Sequence, residues 1–337
     1  MLLIQRRKGR KNFDCSKSMT KKLIHSVLFY RQLSCWLFKV LKGLRLMTVR
    51  SVKMLAFLAL CIAAMSEVSA QDLKDRGTLF SWNGSDAVGG PASMDEPLIG
   101  DRPDFTESST TVGLGVKQVE MGYTYTFDSD GPTQSISHSY PEMLWRVGMY
   151  AEWLEFRIAY NFGDVLERTQ STETVNSSAG GEDLYLGFKI ALTPQDGVLP
   201  ETALVLQTTV ASGDDVFSSG DANPGLNYIY SWALDDEWSL AGQTQWNRAV
   251  DGDTGRPYSE FSQSVAIGKS LDDKLGAYYE WYCLIPDGAD SAPVEHYMDG
   301  GFTYSLNNNL QLDIRAGFGL NEESDDYFAG TGLIYRY

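Results

Sequence analysis

The sequence predicts an all-β fold, a closed antiparallel transmembrane β-barrel of about 12 strands, and three observations lead there. The first is the end of the chain, where Ala329, Thr331, Leu333, Tyr335 and Tyr337 share one face and Phe328, Gly330, Gly332, Ile334 and Arg336 the other. A strand that runs to the last residue has no hairpin partner after it. Its second neighbour comes from far upstream, as closing a sheet into a barrel provides. The second observation is that the same alternation recurs. Leu154, Phe156, Ile158, Tyr160 and Phe162 alternate with Glu155, Arg157, Ala159 and Asn161. Leu184 to Leu192 and Leu310 to Phe318 repeat the pattern, each near the roughly 9–11 residues that a tilted strand needs to cross a bilayer. The third is that connections alternate in length. Tight links at Tyr150 to Glu152, Asp235 to Glu237, Asp272-Asp273 and Asn307 to Asn309 interleave with long acidic ones, as in 163–182. Short turns on one side and long loops on the other are the habit of outer-membrane barrels.

The elements follow in order. Residues 1–46 carry twelve Lys or Arg against the single acid Asp14 and read as an over-extended start, with Met47 or Met54 the initiator. Residues 47–70 read as a signal peptide: Arg50 and Lys53 precede an apolar run from Met54 to Met65, and Val68-Ser69-Ala70 is a small-residue cleavage site before Gln71. The apolar run is too short to span a bilayer as a helix. Residues 71–115, rich in Gly, Ser, Asp and Pro, fit either a periplasmic tail or a segment folded into the lumen. The barrel occupies 116–337, with strands at 116–128, 135–149, 153–162, 183–193, 202–212, 225–234, 238–248, 258–271, 274–284, 295–306, 310–320 and 327–337. Pro141 interrupts the second of these, and 194–201 is longer than a periplasmic turn should be. Trp153, Trp232, Trp238, Trp246, Tyr160, Tyr279, Trp281, Tyr335 and Tyr337 fall on the apolar face, mostly toward strand ends, where amphipathic rings suit the membrane interface.

Charge and cysteine usage exclude several classes. Without residues 1–70 the chain keeps 14 basic and 42 acidic residues, a net of −28, so nucleic acid is not a partner. Only Cys283 remains in that part, which forbids an internal disulfide. His138 and His296 are its only histidines. With no Ser-His spacing motif and no cysteine cluster, no catalytic residue, cofactor or metal site is predicted. Asp251-Gly252-Asp253-Thr254-Gly255 has the look of a calcium loop but lacks its closing Glu, since Ser262 stands there. Its acids read as solvated loop charge.

If the polar face lines the lumen, the strands place Glu120, Glu142, Glu155, Glu260, Glu280, Asp299 and Asp313 inward with Arg146, Arg157, Lys189, Arg315 and Arg336. Facing acidic and basic walls can orient a solute. The same charges can instead crosslink a narrow interior. Arg146 and Glu155, near-opposite across the Tyr150 turn, read as a structural pair. Ahead of the first strand, Asp101, Arg102 and Asp104 are candidates for a hatch. Arg102 offers a planar fork to lumen acids such as Glu155 or Glu280, and Pro103 stiffens the backbone beside it.

Asp101-Arg102-Pro103-Asp104-Phe105-Thr106-Glu107-Ser108 resembles the opening motif of the MetA-pathway of phenol degradation family. Val116 to Tyr125, Gly180 to Lys189 and the aromatic C-terminus are similar to that family as well. The resemblance implies an outer-membrane barrel and passage of small organic compounds. The expectation is therefore a non-enzymatic, passive channel or transporter for small solutes, hydrophobic or aromatic, with a non-conducting structural or surface-interaction barrel as the alternative. Its expected partners are membrane lipids, the solute, and the outer-membrane assembly machinery, which would read the C-terminal strand ending in Tyr337.

Overall fold

A computed structural model describes residues 77–81, 90–169 and 174–337. The basic leader and the signal peptide lie outside the described residues. Among the described residues thirteen strands form one antiparallel sheet: β1 (Lys117–Asp130), β2 (Thr133–Gly148), β3 (Leu154–Thr169), β4 (Thr174–Gly181), β5 (Leu184–Thr193), β6 (Glu201–Val210), β7 (Asn223–Ala233), β8 (Trp238–Val250), β9 (Pro257–Ser270), β10 (Leu275–Asp287), β11 (Glu295–Asn307), β12 (Leu310–Gly319) and β13 (Tyr327–Arg336).

The ring closes between the first and last strands, from Gln118 opposite Arg336 to Phe127 opposite Tyr327. This is the distant partner that the terminal alternation requires. The ring has 12 members, because β4 and β5 share one place in it. β3 pairs with β5 along Leu154 to Ala159 and with β4 along Phe162 to Thr169. Here the expected loop at 163–182 is instead paired strand. Beyond the hydrocarbon both faces of a strand are wet, so period-two hydrophobicity no longer marks it and backbone hydrogen bonds alone hold the hairpin. β1 and β2 both run longer than read from the sequence, and only Gly131-Pro132 separates them.

One end of the barrel carries the links 149–153, 234–237, 271–274 and 308–309, together with the longer 194–200, and it also holds Tyr337. The opposite end carries 211–222, 251–256, 288–294 and 320–326. Side chains are distributed inside out relative to a water-soluble protein. Ile314, Phe302 and Tyr335 are about half exposed on the outer face, whereas Glu120, Arg146, Glu155, Lys189 and Glu280 are fully buried inside. The wall is irregular at Pro141, where β2 slips register against β1 between Glu120 and Thr124 and against β3 between Tyr140 and Met143. Proline has no N–H to give the ladder, and beside this break Glu142 lies on the lumen face with Leu144 and Arg146.

Candidate functional site

The lumen is crossed by residues 98–116, which enter and leave at the turn end. Entry is fixed by Leu98 N–H donating to Asn308 O at 2.8 Å, and by Arg336, whose guanidinium donates to Glu96 O at 2.7 Å and Asn308 O at 3.0 Å. The exit is fixed where Gly115 N–H donates to Gly148 O at 3.0 Å. In between the segment has no secondary structure of its own, so its backbone groups look to the wall for partners. Glu120 of β1 accepts from the amides of Asp101 and Arg102, each at 3.1 Å. Glu280 of β10 accepts from Phe105 N–H at 2.6 Å and Thr106 N–H at 2.8 Å, and Glu155 of β3 accepts from Val112 N–H at 3.0 Å. Gln243 of β8 takes the Glu107 amide at 3.0 Å and returns a bond to Phe105 O at 3.0 Å.

Charge tightens this frame. The Asp101 carboxylate sits among three cations, 2.6 Å from Lys189 Nζ, 2.7 Å from Arg157 and 3.4 Å from Arg146. Arg146 reaches Glu155 through Nε at 2.8 Å and Nη2 at 3.0 Å, and touches Glu120 at 3.1 Å. Its remaining donors serve the segment, to Thr110 O at 2.8 Å and Ile99 O at 3.2 Å. Arg157 also pairs with Glu107, and Lys189 donates to Ser108 O at 2.7 Å. Buried ions persist only when paired and hydrogen-bonded in this way.

Of the residues singled out in the sequence, Glu120, Arg146, Glu155, Arg157, Lys189, Glu280, Asp299 and Asp313 are buried on the inner wall. The Arg146–Glu155 pair forms as expected. Arg315 donates to Pro103 O and Thr124 Oγ1, both at 2.9 Å. Asp299 accepts from Tyr278 O–H at 3.2 Å. Glu260 lies apart from the segment, half-buried beside Tyr258 at 3.4 Å. Asp101 and Arg102 are docked against the inner wall, but the partners of Arg102 are not the expected Glu155 or Glu280. Those two are consumed by Arg146 and by backbone amides. Arg102 instead reaches Glu142 at 2.6 Å and Asp313 at 3.3 Å. Asp104 lines a cavity of about 280 Å³ beside the segment, together with Phe105, Leu144, Arg157 and Arg315.

Several contributors were not singled out from the sequence. Gln243, Glu201, which accepts from Ser109 Oγ at 2.8 Å, and Ser264, 2.5 Å from Thr106 Oγ1, bind the segment, and within it Glu107 pairs with Arg157. Inward parity on their strands was a signal for Gln243 and Ser264, whereas Glu201 falls in the link read at 194–201 and becomes the first residue of β6. For Glu107, in a stretch without periodicity, there was none.

Two glycines shape the seat of Arg102. Gly122 and Gly332 face each other across the β1–β13 closure. A Cβ on Gly122 would come within 2.2 Å of the Arg102 Cζ, and one on Gly332 within 2.3 Å of its Nε. The guanidinium therefore occupies a notch that only glycine leaves open.

Comparison with known proteins agrees with this architecture. The profile of the family described as "Putative MetA-pathway of phenol degradation" matches residues 100–337. The crystal structure of an outer membrane channel from Pseudomonas putida F1 superposes with a TM-score of 0.54 at 12% identity, covering 70% of this chain and 99% of that one. At that identity the likeness concerns the fold. The transport unit of the autotransporter AIDA-I from Escherichia coli gives a TM-score of 0.45 at 9% identity, over 66% of this chain and 89% of that one. No curated protein matches the sequence.

Proposed function

This chain belongs to the MetA-pathway of phenol degradation family, and on that premise we propose that it is a passive, non-enzymatic outer-membrane channel for small hydrophobic or aromatic solutes, closed at rest by residues 98–112. One observation carries the reading: the segment is held inside by hydrogen bonds and ion pairs rather than by an apolar core. Of the side chains that bind it, Glu120, Glu155, Lys189 and Glu280 are wall groups that water can solvate once the segment moves. Flow would follow the solute gradient, since the chain has no nucleotide-binding motif.

The alternative, a closed structural barrel, is favoured by the completeness of the docking, which engages strands from β1 around to β13. Liposome swelling separates the two. The full chain and a variant lacking residues 98–112 would be reconstituted, with folding of each verified by heat-modifiable gel mobility. The channel reading expects the deletion to admit small phenols and sugars several times faster than the full chain. No swelling from the folded deletion would favour the structural barrel.

A further inference from the structure

We propose that the lumen-facing ring of Tyr282 is a binding subsite for planar aromatic solutes, that Phe105 occupies it at rest, and that a solute ring enters by displacing Phe105. The proposal deepens the channel reading and rests on it. Tyr282 and Tyr297 are register partners on β10 and β11 with inward parity, shared with the partners Glu280 and Asp299. Their rings stack at 4.9 Å and 20°, and Tyr297 meets Phe328 edge-on at 6.1 Å. An aromatic ladder thus lines part of a mostly polar wall. Tyr297 and Phe328 are buried within it, at 5% and 6% exposure, whereas Tyr282 stays half-buried and presents a ring face to the lumen.

Phe105 lies on that face in near-parallel stacking, at 4.4 Å and 8°. It shows what the site accepts, a flat ring with no hydrogen-bonding group. Such stacking holds planar rings of many kinds and discriminates against non-planar ones. The backbone around Phe105 is fixed independently of its ring, by Glu280 at the Phe105 amide and by Arg315 at Pro103 O. The ring can therefore turn away while the main chain stays docked. The cavity of about 280 Å³ that Phe105 lines gives it somewhere to turn, and it exceeds the roughly 150 Å³ that holds a benzene molecule. A solute that takes the Tyr282 face removes one of the contacts closing the lumen, so binding and opening are linked.

The test is binding of 4-fluorophenol to the intact, detergent-solubilised barrel, followed by fluorine NMR, with 4-fluorocyclohexanol as a non-planar probe of similar size. If Phe105 competes for the site, Phe105→Ala tightens 4-fluorophenol binding by about ten-fold, because the subsite no longer needs to be vacated. Tyr282→Leu weakens it by a similar factor, Tyr282→Phe retains it, and the cyclohexanol responds to none of the three. Phe105→Ala with unchanged or weaker affinity, or Tyr282→Leu with full affinity, overturns the proposal in barrels whose gel mobility shows them folded. A folded barrel that swells liposomes but shows no affinity rise defeats the subsite alone. An affinity rise in a barrel that never conducts defeats the channel reading and leaves the subsite standing.

Discussion

Asp251, in the link after β8, is 1% exposed. One carboxylate oxygen accepts from Thr254 N–H at 3.0 Å and its hydroxyl at 2.9 Å; the other accepts from Asp290 N–H at 2.9 Å and Ser291 N–H at 2.7 Å. One side chain thus ties the β8–β9 link to the β10–β11 link. The solvated loop charge expected from the sequence is, at this residue, a buried anchor. Composition reveals the acid but not the amides that converge on it from a link some forty residues away. The Ser291 amide above all, opposed by burial and reinforced by Thr254, holds the Asp251 carboxyl well below its ordinary 3.8. A depressed value means that the folded form prefers the anion, so the anchor is complete above the ordinary carboxylate range and is lost as pH falls below it. Hydrogen exchange at Asp290 and Ser291, corrected for the intrinsic rate, should accelerate on acidification below about 4. Asp251→Asn should show about ten-fold lower protection already at neutral pH, as loss of charge-assisted bonds implies. Protection unchanged in that variant would refute the anchoring role.

At the level of elements, the strands were legible wherever one face meets lipid. Period-two alternation carries that information, and the inward parity of Glu120, Arg146, Glu155 and Lys189 came with it. The β3–β4 hairpin was not legible, because neither face needs to be apolar above the membrane. The closure of β1 on β13 was foreseen, but not the notch carved in it. Glycine at inward parity on two paired strands is a visible pattern, though its meaning depends on Arg102, which contributes from outside the barrel strands. Gly332→Ala should expel the Arg102 guanidinium from its seat between Glu142 and Asp313 while leaving the β-ladder intact. The expected result in planar bilayers is a clear rise in open time or conductance, matched by Arg102→Ala. Wild-type behaviour in both variants would mean that the notch has no part in closure.

At the scale of the molecule, the net negative charge is shared by the links and the lumen, where Arg102, Arg146, Arg157, Lys189 and Arg315 face a larger number of carboxylates. The fate of residues 98–116 was the question that sequence left open, since a segment without periodicity fits a tail as well as a plug. What decides it is complementarity between an irregular backbone and a wall of inward-pointing acids, and this exists only once twelve strands are arranged in a ring. On the proposed channel function, this segment is the part that must move. Thr106 Oγ1 and Ser264 Oγ lie 2.5 Å apart at the top of the segment, and Cys283 is the only cysteine in residues 71–337. A Thr106→Cys, Ser264→Cys double variant can therefore fasten the segment to β9 reversibly. The single-channel conductance of this variant before and after reduction shows whether the segment moves when the barrel opens. Movement of the segment as the opening step predicts conductance near leak when the bond is formed, and recovery of wild-type openings when it is reduced. Equal conductance in the two states would contradict it.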